Sequence, residues 1–250
     1  MGMIYGYGGI KLFAGSASRE LAQEISDYLS LPLEPYDRLE FPNENIFIRL
    51  QRSVRGQDVY LIQGMSPPVH RNLMELLIMV DCFKRDSAGR ITVVIPYMAY
   101  ARSDKKDQPR VPITARLVAD MIEVAGTDRY MTIDLHAGQI QGFFSIPGDV
   151  LTAFHLLSDY FVTKQLDKAV VATADLGFAK KGRNFAAKLG LPLAFVEKRR
   201  KGDDPRASAT TIIGEVEGMD VVLVDDEVLT AGSMAEAIRI LKEHGAGDVY

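Results

Sequence analysis

Cysteine, histidine and tryptophan are scarce in this sequence. Its 250 residues include no Trp, four His and one cysteine, Cys82. A single cysteine excludes an internal disulfide framework and is typical of a reducing compartment. Because Cys82 lies in an apolar run, residues 73–83, we expect a buried and unreactive thiol. One Cys and four dispersed His also argue against a zinc site.

The sequence also lacks long apolar runs, a signal-peptide pattern and an excess of positive charge. No apolar run approaches the length that spans a membrane, and the formal net charge is −4. We therefore expect a cytoplasmic protein that has no nucleic-acid or membrane partner. No G-x-x-x-x-G-K-[ST] motif occurs, which excludes a Walker-type loop as the site of any bound ATP.

The composition is that of an ordinary globular protein, 47% hydrophobic and 25% charged. Strand patterns and amphipathic helix patterns alternate along the chain, which indicates parallel sheets with helices on both faces. We predict an α/β fold of two doubly wound parallel-sheet units, residues 1–148 and 149–250. The junction is predicted at the Pro-Gly pair, residues 147–148, with a helix from residue 151 after it.

The strongest functional pattern lies at residues 221–233. Four aliphatic residues, 221–224, predict a strand buried on both faces, and Asp225 and Asp226 follow where it ends. A turn of small residues then precedes a helix pattern: Thr230, Ala231, Gly232 and Ser233. Backbone N–H groups that converge at a positive helix N-terminus bind phosphate, and two carboxylates suit sugar hydroxyls. The plainer interpretation is a helix cap beside two solvated acids; paired acids before a hydroxyl-bearing turn favour a sugar-phosphate site.

Polar residues follow other predicted strands as well. Asp134 and His136 come after residues 129–133, and Asp175 comes after residues 169–173. Ligands of open parallel sheets bind beyond the carboxyl ends of strands, and residues two apart in an extended chain point the same way. Carboxylate and imidazole groups near a phosphate site suggest Mg²⁺, which takes few protein ligands. The alternative for a lone His–Asp pair is a structural hydrogen bond.

Two basic clusters stand out against the acidic total. The first contains Arg102, Lys105, Lys106, Arg110 and Arg116, and the second contains Lys198, Arg199, Arg200, Lys201 and Arg206. Turn-forming and polar residues predict a loop over residues 197–206. A solvated charged face is the usual meaning of such runs. A mobile clamp on phosphate is the functional interpretation, which we favour for residues 198–200 and leave open for residues 102–110.

Several segments resemble the ribose-phosphate pyrophosphokinase family. The likeness runs from about residue 12 to the last residue and is most specific at residues 134–144, Asp-Leu-His through Gly-Phe-Phe. Other matching segments are residues 72–79, 94–105 and 197–200, together with the phosphate loop, which phosphoribosyltransferases share. The resemblance implies transfer of the β,γ-diphosphoryl group of ATP to the 1-hydroxyl of ribose 5-phosphate, which gives phosphoribosyl pyrophosphate (PRPP) and AMP.

The resemblance also implies roles for individual residues. His136 and Asp175 would hold Mg²⁺, and Lys198 and Arg200 would stabilise the transition state from a flexible loop. The implied ATP contacts are Asn43, Glu44, Asn45, Arg102, Ser103 and His136. The implied ribose 5-phosphate contacts are Asp225, Asp226, Leu229, Thr230, Ala231, Gly232 and Ser233. The first unit would carry the ATP side and the oligomer contacts, in homo-oligomers that are hexamers built from dimers.

Several segments depart from the family pattern. Leu229 stands where Asp is usual, residues 43–45 are Asn-Glu-Asn in place of Asp-Gly-Glu, and Ser103 replaces Gln. The family also continues past residue 250 through another strand and helix, so the second unit is either a truncated form or incomplete. Two alternatives therefore stay open: a non-catalytic paralogue that regulates an active synthetase, and a phosphoribosyltransferase, which needs neither ATP nor the basic clamp.

Overall fold

In the computed structural model, the chain divides after Leu151 into unit 1, Met1–Leu151, and unit 2, Thr152–Tyr250. Residues 6–174, 176–200 and 208–250 are described. The elements of unit 1 are β1 (Ile10–Ala14), α1 (Arg19–Leu29), β2 (Tyr36–Glu40), β3 (Ile46–Leu50), β4 (Asp58–Ile62), α2 (Val69–Arg85), β5 (Arg90–Ile95), α3 (Thr114–Ala125), β6 (Arg129–Ile133) and β7 (Gly148–Leu151). Those of unit 2 are α4 (Phe154–Thr163), β8 (Ala169–Thr173), α5 (Ala179–Leu189), β9 (Leu193–Arg200), β10 (Ser208–Ile213), β11 (Asp220–Val224) and α6 (Gly232–Glu243).

The main sheet of unit 1 is parallel, with the strand order β1-β4-β5-β6-β7. Its inner strands are aliphatic because helices cover them: Ala22 of α1 packs on one face, and α2 and α3 pack on the other. On α2 the predicted apolar stripe is buried at Leu73, Leu76 and Val80. The α/β class predicted from the alternation of patterns is confirmed.

A separate antiparallel hairpin, β2–β3, lies against α2. Ile48 is buried in the core of unit 1, and Tyr36 packs against the same core. Glu40 pairs with Ile46 at the last register position, so residues 41–45 form the hairpin loop. A strand pattern over residues 45–50 predicts β3, and no such pattern predicts β2.

Unit 2 has a mixed sheet in the order β10-β9-β8-β11. β8, β9 and β11 are parallel, and β10 is antiparallel at the edge. Helix α6 packs on one face, and α4 and α5 pack on the other. The predicted loop over residues 197–206 is wrong for residues 197–200, which continue β9 and pair with β10. Residues 201–206 lie outside the described residues.

The stretch around the predicted junction contains a further strand. β7 starts at the Pro-Gly pair and pairs in parallel with β6, and the helix predicted from residue 151 begins at Phe154. Cys82 is half-buried, not fully buried, and burial raises the pKa of its thiol, which agrees with low reactivity. Within the described ranges, no helix is both long and apolar enough to cross a membrane.

Candidate functional site

The loop after β11 joins a buried strand to the N-terminus of α6. Asp225 and Asp226 begin this loop and are half-buried, and the Asp226 backbone N–H donates to Asp225 Oδ1 at 2.8 Å. Ala231 has a left-handed backbone, with φ 58°, and α6 starts at the next residue, Gly232. A sharp turn therefore leads directly from the paired carboxylates into the helix.

The N-terminus of α6 is suited to an anion. No side chain caps this end of the helix. The last two residues before the first turn of the helix and the first two residues in it are exposed: Thr230, Ala231, Gly232 and Ser233. The first N–H groups of a helix have no partner inside the helix, and the helix dipole makes this end positive. A phosphate could therefore accept several hydrogen bonds here.

Leu229 lies in the same loop with 60% of its surface exposed. An exposed side chain adds little to the core, so the fold of this loop does not depend on leucine at this position. The departure from Asp changes the chemistry of the loop and leaves its packing unaffected.

In unit 1, the segments after β5 and β6 carry Arg102 and His136, and both side chains are exposed. β5 and β6 are parallel neighbours, so these segments leave the same edge of the sheet. A side-chain hydrogen bond joins them, because Gln139 Nε2 donates to Oδ2 of buried Asp104 at 2.5 Å. The structure thus connects the two predicted ATP-binding segments of this edge.

Ser103 lies beside Arg102 and has a structural partner. Its hydroxyl oxygen accepts from the Thr114 backbone N–H at 3.3 Å and lies 3.3 Å from Thr114 Oγ1. Its carbonyl accepts from the Ala115 N–H at 3.1 Å. Ser103 therefore holds the first turn of α3, a function that the sequence does not predict.

Asp134 follows β6 with φ 42°. The expectation that Asp134 and His136 point the same way assumed an extended chain, and that assumption is wrong because the backbone turns at Asp134. The Asp134 N–H donates to the Leu151 carbonyl at 3.0 Å, which fixes this turn against the end of β7. Asp134 is half-buried.

The hairpin loop presents Asn43, Glu44 and Asn45 at the surface. Glu44 has φ 66°, a left-handed conformation that favours glycine. It occupies the position of Gly in the Asp-Gly-Glu pattern that the sequence resemblance assigned to this loop. The Glu44 N–H donates to the Phe41 carbonyl at 2.8 Å, so the turn is closed although the glycine is missing.

The remaining predicted residues are only partly described. Asp175 lies outside the described residues, and Lys198 and Arg200 lie on β9, opposite Thr210 and Ser208 of β10. No group of three or more His, Cys, Asp or Glu residues that could hold a metal occurs in the part of the chain that the structure describes. The predicted ligands are only two, His136 and Asp175. Two protein ligands suit Mg²⁺ that is bound mainly by phosphate oxygens and water, since Mg²⁺ needs only one or two protein ligands.

Sequence reasoning missed two buried carboxylates in unit 1, one in the segment after β5 and one on α2. Asp104 is 6% exposed, and Glu75 is fully buried on α2. Glu75 stands between Leu73 and Leu76 in the apolar stripe of the helix, and a charged residue in such a stripe is the signal that would have identified it. For Asp104 the sequence offers no comparable signal, because it lies in a polar loop.

Comparison with known proteins gives matches over both units. Residues 10–126 match the family model for the N-terminal domain of ribose phosphate pyrophosphokinase, and residues 156–249 match the phosphoribosyl transferase domain. The ribose-phosphate pyrophosphokinase of Wolinella succinogenes is 48% identical over 241 residues, which cover 96% of this chain and 78% of that protein. That of Campylobacter jejuni is 47% identical with the same coverage.

A solved structure agrees with these relatives. The crystal structure of phosphoribosylpyrophosphate synthetase from Mycobacterium smegmatis superposes with a TM-score of 0.91 at 41% identity, over 96% of this chain and 79% of that one. The resemblance seen in the sequence motifs is therefore confirmed over nearly the whole chain. The chain belongs to the ribose-phosphate pyrophosphokinase family.

Proposed function

We propose that this protein is a ribose-phosphate diphosphokinase, which transfers the β,γ-diphosphoryl group of ATP to the 1-hydroxyl of ribose 5-phosphate and releases PRPP and AMP. The observation that carries the proposal is the similarity to proteins named for this activity over 96% of the chain, in both units. A phosphoribosyltransferase would account for unit 2 alone and would leave the match of residues 10–126 without a reason.

Unit 2 would hold ribose 5-phosphate in the loop after β11. The open N-terminus of α6 supports binding of the 5-phosphate by backbone N–H groups and by the hydroxyls of the turn. The two half-buried carboxylates would accept hydrogen bonds from the ribose hydroxyls. The residues assigned to this site are Asp225, Asp226, Leu229, Thr230, Ala231, Gly232 and Ser233.

Unit 1 would hold ATP at the segments after β5 and β6 and at the hairpin loop. Arg102 supplies an exposed guanidinium, and Ser103 beside it carries a hydroxyl that also contacts Thr114. The residues assigned to ATP are Asn43, Glu44, Asn45, Arg102, Ser103 and His136.

Mg²⁺ is the proposed cofactor, and His136 and Asp175 are the residues proposed to bind it. When bound with ATP it would neutralise charge on the phosphates. Lys198 and Arg200 would stabilise the charge that develops as the diphosphoryl group leaves AMP. Diphosphoryl transfer needs positioning and charge neutralisation more than covalent help, which fits a chain without an activated nucleophile among its assigned residues.

We also propose that the protein is a cytoplasmic homo-oligomer, a hexamer built from dimers. Large apolar side chains on the hairpin and on α4 support association, because such groups are exposed on both elements: Leu39, Phe47, Leu156, Leu157 and Tyr160. Light scattering after size exclusion would measure the mass, and a monomer at micromolar concentration would refute this part of the proposal.

The activity is tested by mixing the protein with Mg²⁺, ATP and ribose 5-phosphate and following the products by ³¹P NMR. We expect AMP and PRPP in equal amounts, and neither product without ribose 5-phosphate or without Mg²⁺. ADP in place of AMP would indicate an ordinary phosphoryl transfer. Binding of both substrates without any product would indicate the non-catalytic regulatory paralogue and refute the proposal.

A further inference from the structure

Glu75 is a fully buried carboxylate whose partners come from two distant parts of unit 1. Its Oε1 accepts from the Ser16 backbone N–H at 2.8 Å and from the Ser16 hydroxyl at 2.5 Å. Its Oε2 accepts from Arg38 Nε at 2.8 Å. One side chain of α2 therefore holds both the turn after β1 and strand β2 of the hairpin.

Arg38 extends this connection along the hairpin. Its guanidinium donates to Glu75 through Nε and to Glu40 Oε2 through a terminal nitrogen at 3.2 Å, and only 15% of the Arg38 side chain is exposed. Arg71, near the start of α2, donates to the same Glu40 oxygen. We call the set Ser16, Arg38, Glu40, Arg71 and Glu75 the hairpin anchor.

The hairpin anchor ends where the hairpin loop begins. Glu40 is the last residue of β2, and Phe41 follows it as the first residue of the loop that carries Asn43, Glu44 and Asn45. The loop itself is exposed and is closed by its own backbone hydrogen bonds. Its position relative to the main sheet therefore depends on how the two strands of the hairpin are held against α2.

We propose that the Glu75–Arg38 pair is a positioning device for ATP, which places the hairpin loop through the buried bridge from α2 to β2. This inference rests on the proposed function, because it assigns the loop to ATP. Glu75 and Arg38 touch no substrate and act only through residues 43–45.

The chemistry of the anchor specifies an orientation that apolar packing alone would leave less defined. A guanidinium is planar and donates in fixed directions, so contact with both Glu75 and Glu40 sets the angle of β2. Lysine carries the same charge on a flexible stem and cannot reproduce two directed bonds. Because a buried ion pair is weak evidence for stability, we assign this pair the orientation of β2 and not the stability of the fold.

The test compares Arg38→Lys and Glu75→Gln with the parent in the steady-state AMP-forming reaction. We expect KM for ATP to rise about tenfold, as for the loss of one charge-assisted hydrogen bond, with kcat and KM for ribose 5-phosphate unchanged. Ser16→Ala removes one hydroxyl and keeps the ion pair, so this milder variant should raise KM for ATP about twofold. Arg49→Lys is the matched control, because Arg49 pairs on the same hairpin with Asp37 at the exposed surface, and it should behave as the parent.

Hydrogen exchange at residues 36–50 without ligand supplies an independent readout, and faster exchange is expected in Arg38→Lys but not in Arg49→Lys. An unchanged KM for ATP in Arg38→Lys and Glu75→Gln would overturn the inference and leave the proposed function standing. If kcat and kcat/KM for both substrates fall together, the anchor has only a structural role, and the inference is also overturned. If the parent itself fails to bind ATP, the proposed function fails, and this outcome is visible before any variant is compared.

Discussion

Replacing Glu44 by glycine should stabilise the protein, because Glu44 holds a left-handed backbone, φ 66°, that glycine adopts at lower cost. The substitution keeps the one backbone bond that closes the turn, in which the Glu44 N–H donates to the Phe41 carbonyl at 2.8 Å. The Glu44 side chain is exposed, so no packing is lost with it.

The magnitude follows from two opposing effects. A left-handed backbone costs a residue with a Cβ roughly 1–2 kcal/mol of conformational free energy. Glycine removes this strain and adds freedom to the unfolded chain, which costs about 0.4–1 kcal/mol. The net stabilisation is on the order of 0.5–1 kcal/mol, and in a chain of 250 residues this raises Tm by about 1–4 °C.

Thermal and urea unfolding followed by circular dichroism would measure the change. The matched control is Asn43→Gly in the same loop, where φ is not positive and the Asn43 side chain accepts from the Asn45 N–H at 3.3 Å. This control should lower the free energy of unfolding by about 1–2.5 kcal/mol, since it adds unfolded-state entropy and removes a hydrogen bond. If Glu44→Gly destabilises as much as Asn43→Gly, the argument from backbone strain is wrong.

Four further predictions concern single side chains. His136→Ala should weaken Mg²⁺-dependent ATP binding by about tenfold or more with the fold intact, and an unchanged affinity in calorimetry would remove His136 from the site. Lys198→Ala and Arg200→Ala should each lower kcat by about 10²–10³-fold with KM nearly unchanged, and a raised KM at normal kcat would make them ordinary binding residues. Leu229→Asp should strengthen binding of ribose 5-phosphate by up to about tenfold through one added hydrogen bond, and equal affinity in calorimetry would show that the position is tolerant. Burial and a nearby carboxylate raise the pKa of Tyr36 above its ordinary 10.0; the unfolded chain therefore loses this proton first, and stability falls as pH rises through the folded pKa. Tyr36→Phe should flatten that fall in urea titrations above pH 10, and an unchanged slope would contradict the assignment.

The parallel core of each unit could be predicted because its elements depend on local periodicity. Helix α2 shows its apolar stripe directly in the sequence, and β11 is a run of aliphatic residues. Glycine is also a typical helix terminator, and α3 ends before Gly126, which has φ 123°.

The strands that the sequence patterns did not predict form because of their pairing with other segments. Their own residues do not show a strand pattern. β2 is mostly polar, yet it pairs with β3 and packs on α2 through Tyr36. The polar end of β9, residues 197–200, is held by backbone bonds to β10, so tertiary pairing overrides composition there. β7 has four residues, including glycine and aspartate, which is too short for a period to be seen.

Part of the candidate site could be predicted from the rule that ligands bind beyond the carboxyl ends of parallel strands, and part could not. Residues placed beyond a strand, such as His136 and Thr230, are exposed, and their position follows from sheet topology alone. Glu75 and Asp104 are buried, and each joins segments that are distant in sequence, so their roles depend on contacts that no local pattern encodes. An acid within the apolar stripe of a helix beside strand-end loops, as at Glu75, is nevertheless visible in a sequence. Because burial of an unpaired charge is costly, such an acid requires a cationic or N–H partner from another segment, and here that requirement links α2 to the loop proposed for ATP.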